Sequence, residues 1–582
     1  MDKSMDTQAP QQKAAALMAE KKYQAACKLL HDQLKVTPNN GSVCETLGEA
    51  YLLQQHYADA AKHFYMAKQL MPTNPNPNFQ LGNIYVKLGR FEESCQFYVN
   101  ALRISPNAVQ VYEALAKTLV KLQAYEEAIK AYQRAIKIAP TLASLQLGLA
   151  TLLIECGELE QGLVHYRMAL QSKPHPIEHS AFLFAMNYRP DISASMVSDW
   201  HRDWGQLHTA HLPKYAHSNS LPAAARKVRI GLVSSDFYRH PVTYYLEPFL
   251  EHYDRSRFEI FCYSHVVKQD EVTERLKTQA DHWRTISTTN IAGAVATIRQ
   301  DEVDVLVDLS GQTACKLLLI FGHKPASIQV SWLGYFNTSG LESMDYLITD
   351  PHSSPAGQSV YFTEQLLYMP YNRFCYRPPE YAPEVNALPA LQTGYITFGC
   401  FNNYLKLNNK VIALWATLLN AFPGSKLLLK NKAMNDAFLR KQTLANFEKY
   451  GISADRLLLE KTSPHPELLA AYSRVDIALD PFPFTGGLTT SEALWMGVPV
   501  VTLAGETLVS RQGAAFLTVI NKTEWIATRK TEYVSIACAL AGDLSALAGH
   551  RQSLRAQIQG SPLCDGKQFA RDLQALFSGI IS

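Results

Sequence analysis

The sequence has almost no excess of charge of either sign. It carries 55 Lys and Arg residues against 52 Asp and Glu residues, a formal net charge of +3 over 582 residues. No basic field therefore favours nucleic acid as a partner. Hydrophobic residues make up 47% of the chain and charged residues 18%, which is typical of a globular protein rather than a disordered one. The length exceeds what a single core supports, so several domains are expected.

Signals for export, membrane insertion and disulfide bonding are also missing. The first residues, Met1-Asp-Lys-Ser-Met-Asp-Thr-Gln8, contain no apolar signal run, and no later stretch reaches a membrane-spanning length. The ten cysteines form no Cys-x-x-Cys pair and no Cys/His cluster with metal-ligand spacing. This predicts reduced, mostly buried thiols in a cytoplasmic protein without a membrane partner.

Two motifs that bind metal or phosphate do not occur. No Asp-x-Asp pair lies on a predicted loop where it would hold Mg²⁺, and there is no Walker-type lysine loop. The sequence therefore predicts a ligand site that needs neither a metal ion nor a cofactor.

The first 175 residues repeat with a period of 34 residues. Proline recurs at positions 38, 72, 106, 140 and 174, and each is preceded at fixed distances by the same residue types. Counting back from the second proline, these places hold Leu47, Gly48, Tyr51, Ala60, Phe64 and Ala67. This is the signature of tetratricopeptide repeats, which are pairs of antiparallel helices, and the degenerate first copy suits a capping repeat.

Stacked repeats of this kind are expected to form a superhelix with a concave groove. Such grooves hold an extended peptide or a partner protein, so a protein acceptor or other polypeptide is the expected partner of residues 1–175. A purely structural arm, or one that forms a homodimer, is the alternative, because a solenoid buries its own core with or without a bound partner.

After a helical connector at 176–226, with a small and polar joint at 218–225, buried strands alternate with helices. Strands are predicted at 228–233, 258–263, 303–309, 328–333 and 346–348, then at 395–401, 426–430, 457–460, 475–479 and 499–503. This alternation predicts two parallel sheets covered by helices, in domains at 227–390 and 391–582. Ligands in such folds bind at the carboxyl ends of the strands, so a cleft is expected between the two sheets.

The stretch 480–503 carries the strongest chemical signal. It is predicted to form a strand, a Gly-rich turn, a helix at about 489–496 and another strand. Gly486 and Gly487 would let the backbone approach a diphosphate at the helix start, where Thr489 and Thr490 add hydroxyl donors. Glu492, one turn into the helix, could accept hydrogen bonds from a ribose. An ordinary strand-to-helix turn capped by a threonine is the alternative.

Two further loops follow the first strand of each sheet. His240 would face the cleft, where an imidazole can act as a general base or hold an acceptor, and a surface histidine without a role is the alternative. Lys406 occupies the matching loop of the second sheet, just after Asn402 and Asn403. A lysine with amide donors beside the helix start would clamp a diphosphate without a metal.

Three residues are weaker candidates. Thr338 lies in the Gly-flanked loop 332–340. The glycines would either let the backbone approach a ligand closely or simply form a turn. His282 is expected either to point into the cleft or to have a purely structural role. His465, between two prolines, would lie near the nucleotide edge.

Together these segments resemble the O-GlcNAc transferase and SPINDLY family. The resemblance is carried by the repeats, by Ser234-Ser-Asp-Phe-Tyr-Arg-His-Pro241, and by the segments 332–340, 401–406, 486–497 and 561–569. It implies an α-solenoid followed by a GT-B region of two Rossmann-like domains. It also implies an inverting, metal-independent transfer of a sugar from a nucleoside diphosphate to Ser or Thr of a protein.

The resemblance further implies roles for individual residues. His240 matches the family's cleft histidine, and Lys406 matches the lysine that stabilises the departing diphosphate. Asn403 falls where the family has an amide near the diphosphate. Thr489 and Thr490 fall within the family's phosphate-binding helix start. Glu492 matches the family's acidic residue that binds the ribose.

The donor sugar is the point on which the family divides. Animal O-GlcNAc transferases carry an Asn-Gly-His-Thr-Thr run with a later Asp, whereas this chain has Thr485-Gly-Gly-Leu-Thr-Thr-Ser-Glu492. That Glu and the run Tyr244-Tyr-Leu-Glu-Pro248 are more similar to SPINDLY, whose plant members transfer fucose. Leu468 stands where the family often has a ring against the nucleobase. UDP-GlcNAc is the expected donor and GDP-fucose its competitor.

Three alternatives to this function are left open. They are a related branch that glucosylates Asn, a small-molecule or glycan glycosyltransferase, and a non-catalytic repeat scaffold.

Overall fold

The computed structural model describes residues 5–171, 175–217 and 226–581, with side chains from residue 10 onward. The predicted joint at 218–225 and the last repeat proline, Pro174, lie outside the described residues. The chain divides into two compact units, one of residues 1–153 with 164–171, and one of residues 154–163 with 172–582.

The described part of the repeat region consists of ten helices, two for each 34-residue copy, as predicted. They are α1 (Met5–Ala19), α2 (Tyr23–Val36), α3 (Gly41–Leu53), α4 (Tyr57–Leu70), α5 (Asn76–Lys87), α6 (Phe91–Ile104), α7 (Val109–Lys121), α8 (Tyr125–Ile138), α9 (Ala143–Glu155) and α10 (Leu159–Leu170). Small residues let paired helices approach closely. A Cβ at Gly48 would lie 3.0 Å from the Phe64 ring, and one at Gly82 would collide with the Tyr98 ring.

The predicted connector forms two helices, α11 (Pro176–Met186) and α12 (Ala194–Thr209). They do not stand apart from the α/β region. Ser180 Oγ donates to Gln312 Oε1 at 2.6 Å, and His201 Nε2 lies 2.8 Å from the Tyr335 hydroxyl. These helices therefore form part of the packing of the first α/β lobe.

The first lobe is built on a parallel sheet of seven strands. They are β1 (Val228–Ser234), β2 (Phe258–Ser264), β3 (His282–Thr285), β4 (Val305–Asp308), β5 (Ile328–Ser331), β6 (Tyr346–Thr349) and β7 (Gln365–Tyr368), in the order β3-β2-β1-β4-β5-β6-β7. The helices of this lobe are α13 (Pro241–His252), α14 (Glu271–Gln279), α15 (Ile291–Gln300) and α16 (Cys315–Gly322). All five predicted strands are present. The edge strands β3 and β7 were not predicted.

The second lobe has a six-stranded parallel sheet. Its strands are β8 (Thr397–Cys400), β9 (Lys426–Lys430), β10 (Leu457–Glu460), β11 (Ile477–Leu479), β12 (Val500–Leu503) and β13 (Ile526–Ala527), in the order β10-β9-β8-β11-β12-β13. Its helices are α17 (Ala390–Thr393), α18 (Asn409–Ala421), α19 (Ala437–Glu448), α20 (His465–Ala471), α21 (Leu488–Trp495), α22 (Gln512–Val519), α23 (Lys530–Gly542) and α24 (Leu544–Gln559). The five predicted strands are present, and the two-residue strand β13 was missed.

The strand orders fix where a ligand can bind. Each sheet reverses its order at one point, between β1 and β4 in the first lobe and between β8 and β11 in the second. Parallel α/β sheets bind ligands in the crevice at that point, outside the carboxyl ends of the strands. The loops that begin after β1, β8 and β11 are the three that the sequence singled out.

The last helix, α25 (Gly566–Ile581), leaves the second sheet and packs on the first lobe. The Phe577 ring lies 6.3 Å from the Phe249 ring of α13, and Phe569 stacks on Trp332 at 6.1 Å. Buried side chains from both lobes join in one hydrophobic cluster. The helix α25, which lies within the predicted domain 391–582, thus contacts the first lobe and contributes to this shared cluster.

Two predictions from composition can be compared with the structure. All ten cysteines are free thiols in this structure, and seven of them are buried, as predicted for most of them. Within the described ranges, none of the helices combines the length and apolarity needed to cross a membrane.

Candidate active site

The Gly-rich turn between β11 and α21 is organised around a buried carboxylate. Asp480 Oδ1 accepts hydrogen bonds from the Gly486 N–H at 2.9 Å and the Thr490 hydroxyl at 3.0 Å, and its Oδ2 accepts from the Thr502 hydroxyl at 2.9 Å. Burial raises the pKa of Asp480 to about 6. Sequence reasoning gave this residue no role, although an acid at the end of an apolar strand was a visible signal.

Gly486 cannot carry a side chain in this turn. A Cβ there would lie 2.7 Å from Asp480 Oδ1 and would collide with the Thr490 hydroxyl. Gly487 is the N-cap residue of α21, and no side chain caps the helix. The alternative in which a threonine caps the helix is therefore wrong. An uncapped helix start leaves N–H groups and the positive end of the helix dipole for an anion.

Lys406 lies at this helix start, as predicted. Its Nζ donates to Asn402 Oδ1 and to the Thr485 carbonyl, both at 2.9 Å, and lies 4.2 Å from the centre of the Phe484 ring. The Thr489 hydroxyl donates to the same Asn402 oxygen at 2.9 Å. Burial lowers the pKa of Lys406 to about 8, while the nearby Asp480 carboxylate opposes this shift. The ammonium therefore stays mainly charged at neutral pH.

The two predicted amides have different surroundings. Asn402 is buried and links Lys406 to Thr489. Asn403 is exposed, and its Oδ1 accepts from the Leu405 N–H at 3.2 Å, which caps the short 3₁₀ turn that carries Lys406. In this structure Asn402 orients the lysine directly, while Asn403 fixes the turn.

His240 lies between β1 and α13, where it was predicted, and is the N-cap residue of that helix. Its Nδ1 accepts from the Val242 N–H at 3.4 Å. Burial lowers the pKa of His240, against the opposing effect of Asp236. A neutral ring whose Nδ1 accepts this bond carries its proton on Nε2, so it presents a hydrogen-bond donor beyond the helix end.

Glu492 and His465 form a pair that sequence reasoning did not connect. Glu492 is 2% exposed, and its Oε1 accepts from His465 Nε2 at 2.6 Å. Burial raises the pKa of Glu492, and His465 opposes the shift. The His465 Nδ1 lies 2.7 Å from the Tyr381 hydroxyl and 3.5 Å from that of Tyr244.

This chain of hydrogen bonds joins the two lobes. Tyr244 lies on α13, four residues after His240, and Glu492 lies on α21, whose first turn carries Thr489. A second bond between the same helices joins the Tyr245 hydroxyl to Ser491 Oγ at 3.0 Å. The helix that begins at His240 is thereby held against the helix that begins at the Gly-rich turn.

The structure does not bring His282 or Thr338 to this site. His282 begins the edge strand β3 and pairs with Phe261, the middle residue of β2, so it does not reach the carboxyl ends of the strands. There its Nε2 donates to Glu259 at 2.8 Å and its ring stacks on Phe261 at 4.2 Å. Thr338 is fully buried and donates to Glu364 Oε2 at 2.6 Å. Both side chains stabilise the first lobe.

The described residues include no group of three or more His, Cys, Asp or Glu side chains placed to hold a metal ion. The ionisable groups at the Gly-rich turn and α21 include Lys406, Asp480 and the hydrogen-bonded Glu492 and His465 side chains.

Comparison with known proteins identifies the family. The model of "Glycosyl transferase family 41" matches residues 172–377 and 386–573, and a tetratricopeptide-repeat model matches residues 76–141. Curated relatives are described as probable UDP-N-acetylglucosamine–peptide N-acetylglucosaminyltransferase SPINDLY. The one from Solanum lycopersicum is 36% identical over 400 residues, 68% of this chain and 43% of the relative. The one from Arabidopsis thaliana is 37% identical over 400 residues, 68% of this chain and 44% of the relative. The match thus spans less than half the length of these relatives.

A solved structure is similar over most of the chain. It is a lysine-to-methionine mutant of Thermobaculum terrenum O-GlcNAc transferase, with 30% identity and a TM-score of 0.80, and the match covers 87% of this chain and 97% of that one. This similarity confirms the predicted solenoid followed by a GT-B region. The chain therefore belongs to glycosyl transferase family 41, the family of the O-GlcNAc transferases and SPINDLY proteins.

Proposed function

We propose that this chain is an inverting, metal-independent protein glycosyltransferase. It moves a sugar from a nucleoside diphosphate to a Ser or Thr hydroxyl of a polypeptide that the repeats recruit. One observation carries the proposal: a partly buried ammonium, Lys406, is held by Asn402 and Thr485 beside the uncapped start of α21. Family membership and the similar O-GlcNAc transferase structure support it.

In the proposed reaction the donor diphosphate lies on the N–H groups at the start of α21. As the bond between the anomeric carbon and the phosphate oxygen breaks, negative charge develops on the leaving diphosphate. The Lys406 ammonium and the helix start stabilise that charge more strongly in the transition state than in the bound donor. The acceptor oxygen forms its bond to the anomeric carbon on the opposite face and loses its proton.

The nucleoside is proposed to extend from the helix start towards α20. Glu492 would accept from the ribose hydroxyls, and its bond to His465 keeps the carboxylate in place. His240 at the start of α13 would hold the acceptor through its Nε2–H. The same ring would act as a base only after its capping bond to Val242 is given up.

The donor proposed first is UDP-GlcNAc, in agreement with the names of the curated relatives. GDP-fucose is the second candidate, because Glu492 and the run 244–248 are similar to SPINDLY.

The deciding experiment offers UDP-GlcNAc, GDP-fucose and UDP-glucose to the purified protein, with a cell lysate as acceptor. Label from one donor on protein, and none from the others, would identify the sugar. Absence of both transfer and nucleotide-sugar binding would favour the non-catalytic scaffold, and label on small molecules alone would favour a small-molecule glycosyltransferase.

Replacing His240 tests its role as an acceptor-binding residue. His240→Ala should lower transfer about 10²-fold, because the acceptor loses its hydrogen-bond partner, while donor affinity stays unchanged. The substitution also removes a helix cap, which costs about 1 kcal/mol. His240→Asn keeps a capping side chain, so its melting temperature should return to the wild-type value while transfer remains low. Full activity in the Asn variant would mean that His240 serves only as a cap.

The depressed lysine pKa predicts an alkaline limit to activity. Since the pKa of Lys406 is about 8 in the free protein, kcat/KM for the donor should fall about tenfold per pH unit above that value, as the ammonium becomes neutral.

The free energy of unfolding should change in the opposite direction to activity over the same pH range. Between pH 8 and the ordinary lysine value of 10.5 the unfolded chain binds more protons, so the Lys406 contribution to stability rises with pH. Donor turnover and thermal melting measured over this range separate loss of charge from unfolding. A profile that stays flat to pH 10 would contradict the assignment.

A further inference from the structure

A cavity of about 560 Å³ opens at the carboxyl edge of the second sheet. One wall comes from the segment that joins α11 to α12, and the other comes from the turns after β11, β12 and β13. Its lining includes Arg189, Ile192, Phe482, Glu506, Thr528 and Lys530. The volume is in the range of ligand-binding pockets in proteins. No part of the proposed donor site accounts for it.

The cavity adjoins the donor site through one short turn. Phe482 and Pro483 line the cavity, whereas the next residue, Phe484, lies under the Lys406 ammonium at 4.2 Å. Phe484 is fixed by a stacked contact with Tyr188 at 5.0 Å and an edge contact with Phe336 at 4.4 Å. A group bound in the cavity would therefore lie beside the turn 482–485, which also contacts the Lys406 ammonium.

The lining of the cavity is mainly apolar, with the buried polar side chains of Asn187 and Ser510 among it, and the charged residues Glu506, Arg529 and Lys530 are exposed. Apolar lining residues include Ile192, Val197, Leu503 and Val509. Arg189 and Arg529 also line it, but each has a carboxylate partner, Glu160 at 3.4 Å for the first and Glu532 for the second.

Lys530 differs from these two arginines. It is exposed, it lies 5.5 Å from the centre of the Phe482 ring, and no ion pair joins it to a carboxylate of the described residues. Glu506 is the one acidic residue of the lining and is exposed as well. The cavity thus offers apolar side chains beside a lysine that is free to bind a carboxylate.

We propose that this cavity is a subsite for the acceptor polypeptide. It takes an apolar side chain close to the glycosylated hydroxyl, and a carboxylate next to that side chain in the acceptor binds Lys530. A polypeptide is favoured because the acceptor must reach the sugar beside this turn, and because an extended chain can place an apolar and a charged side chain together. The inference rests on the proposed function, since it assigns the acceptor side of the same site.

The test uses short peptides with one Ser or Thr, in which a neighbouring Leu is paired with Asp or with Lys. The wild-type protein should bind and glycosylate the Leu/Asp peptides better. Lys530→Glu should lower their kcat/KM about five- to tenfold and raise that of the Leu/Lys peptides, because it reverses one charge pair. Glu506→Lys should change the preference in the other direction. Thr528→Trp, which fills the cavity from an exposed position, should raise the acceptor KM for both series.

Matched measurements separate this inference from the proposed function. Lys449→Glu reverses the charge of an exposed lysine that does not line the cavity and should leave the preference unchanged. Donor binding is measured independently, and peptide binding is followed by fluorescence anisotropy without transfer. If the wild type binds no nucleotide sugar, the proposed function is wrong. Peptide binding measured by anisotropy then decides by itself whether the cavity is a subsite for the polypeptide. If transfer proceeds and the cavity variants keep the wild-type peptide preference, or change only the donor KM, the subsite is overturned.

Discussion

Replacing Lys406 with methionine is expected to lower kcat for sugar transfer about 10²- to 10³-fold while the protein stays folded. Methionine keeps an unbranched apolar chain over the Phe484 ring and removes the charge that faces the helix start. Because the proposed role of the ammonium is to stabilise charge that develops on the leaving diphosphate, the loss should appear in kcat more than in donor affinity. Removal of a partly buried charge also relieves its desolvation, so the melting temperature should not fall.

The control for this variant lies four residues further along the chain. Lys410→Met removes a lysine whose side chain is 45% exposed and whose ion pair with Asp191 is 3.6 Å long, so transfer should be close to wild type. Steady-state turnover, calorimetry with the nucleoside diphosphate and thermal melting make up the measurement. Lys406→Ala should be as inactive as the methionine variant. Near-normal turnover in either Lys406 variant would remove the basis of the proposed mechanism.

The fold was predictable where local patterns are regular. The 34-residue repeat and the apolar runs of β1, β4, β8, β9 and β12 identify their elements without tertiary information. The strands β3, β7 and β13 were missed because they are short and lie at sheet edges, where pairing with one neighbour decides the conformation. Of the two alternatives for His282, the contacts with Glu259 and Phe261 favour the structural one.

The site was predictable as a set of loops but not as a set of contacts. The carboxyl ends of parallel strands meet in one crevice, so His240, Lys406 and the Gly-rich turn could be placed from the strand pattern alone. The partners of those residues could not. His465 and Glu492 are 27 residues apart and Tyr244 is 221 residues from His465, and such contacts depend on how the two lobes pack. The role of Asp480 depends on burial, which a sequence pattern does not report.

Replacing Asp480 is expected to cost both stability and donor binding, whereas replacing the acid at the other end of the same strand costs stability alone. Asp476 and Asp480 flank β11, and both are almost fully buried. Asp476 accepts from the N–H groups of Ala390 at 2.9 Å and Thr397 at 2.8 Å, at the amino end of the strand. Either substitution by Ala leaves a buried N–H without an acceptor and should lower the free energy of unfolding by about 1–3 kcal/mol.

Only Asp480→Ala should weaken binding of the nucleoside diphosphate, by about 10²-fold, because it also releases Gly486 and Thr490 at the helix start. The measurement compares calorimetric affinity with urea unfolding for the two variants, each assayed below its melting temperature. Equal affinity losses in both would mean that donor binding reports general stability rather than the geometry of the turn.

Asp480→Asn separates the hydrogen bonds of this carboxylate from its charge. The amide oxygen can keep the bonds from Gly486 and Thr490, and the Thr502 hydroxyl can rotate to accept from the amide nitrogen. Stability should therefore stay near wild type. The negative charge that favours the protonated form of Lys406 is lost, however, so the lysine pKa falls further and the alkaline limit of activity moves below pH 8. An unchanged alkaline limit in this variant would show that the limit does not come from Lys406.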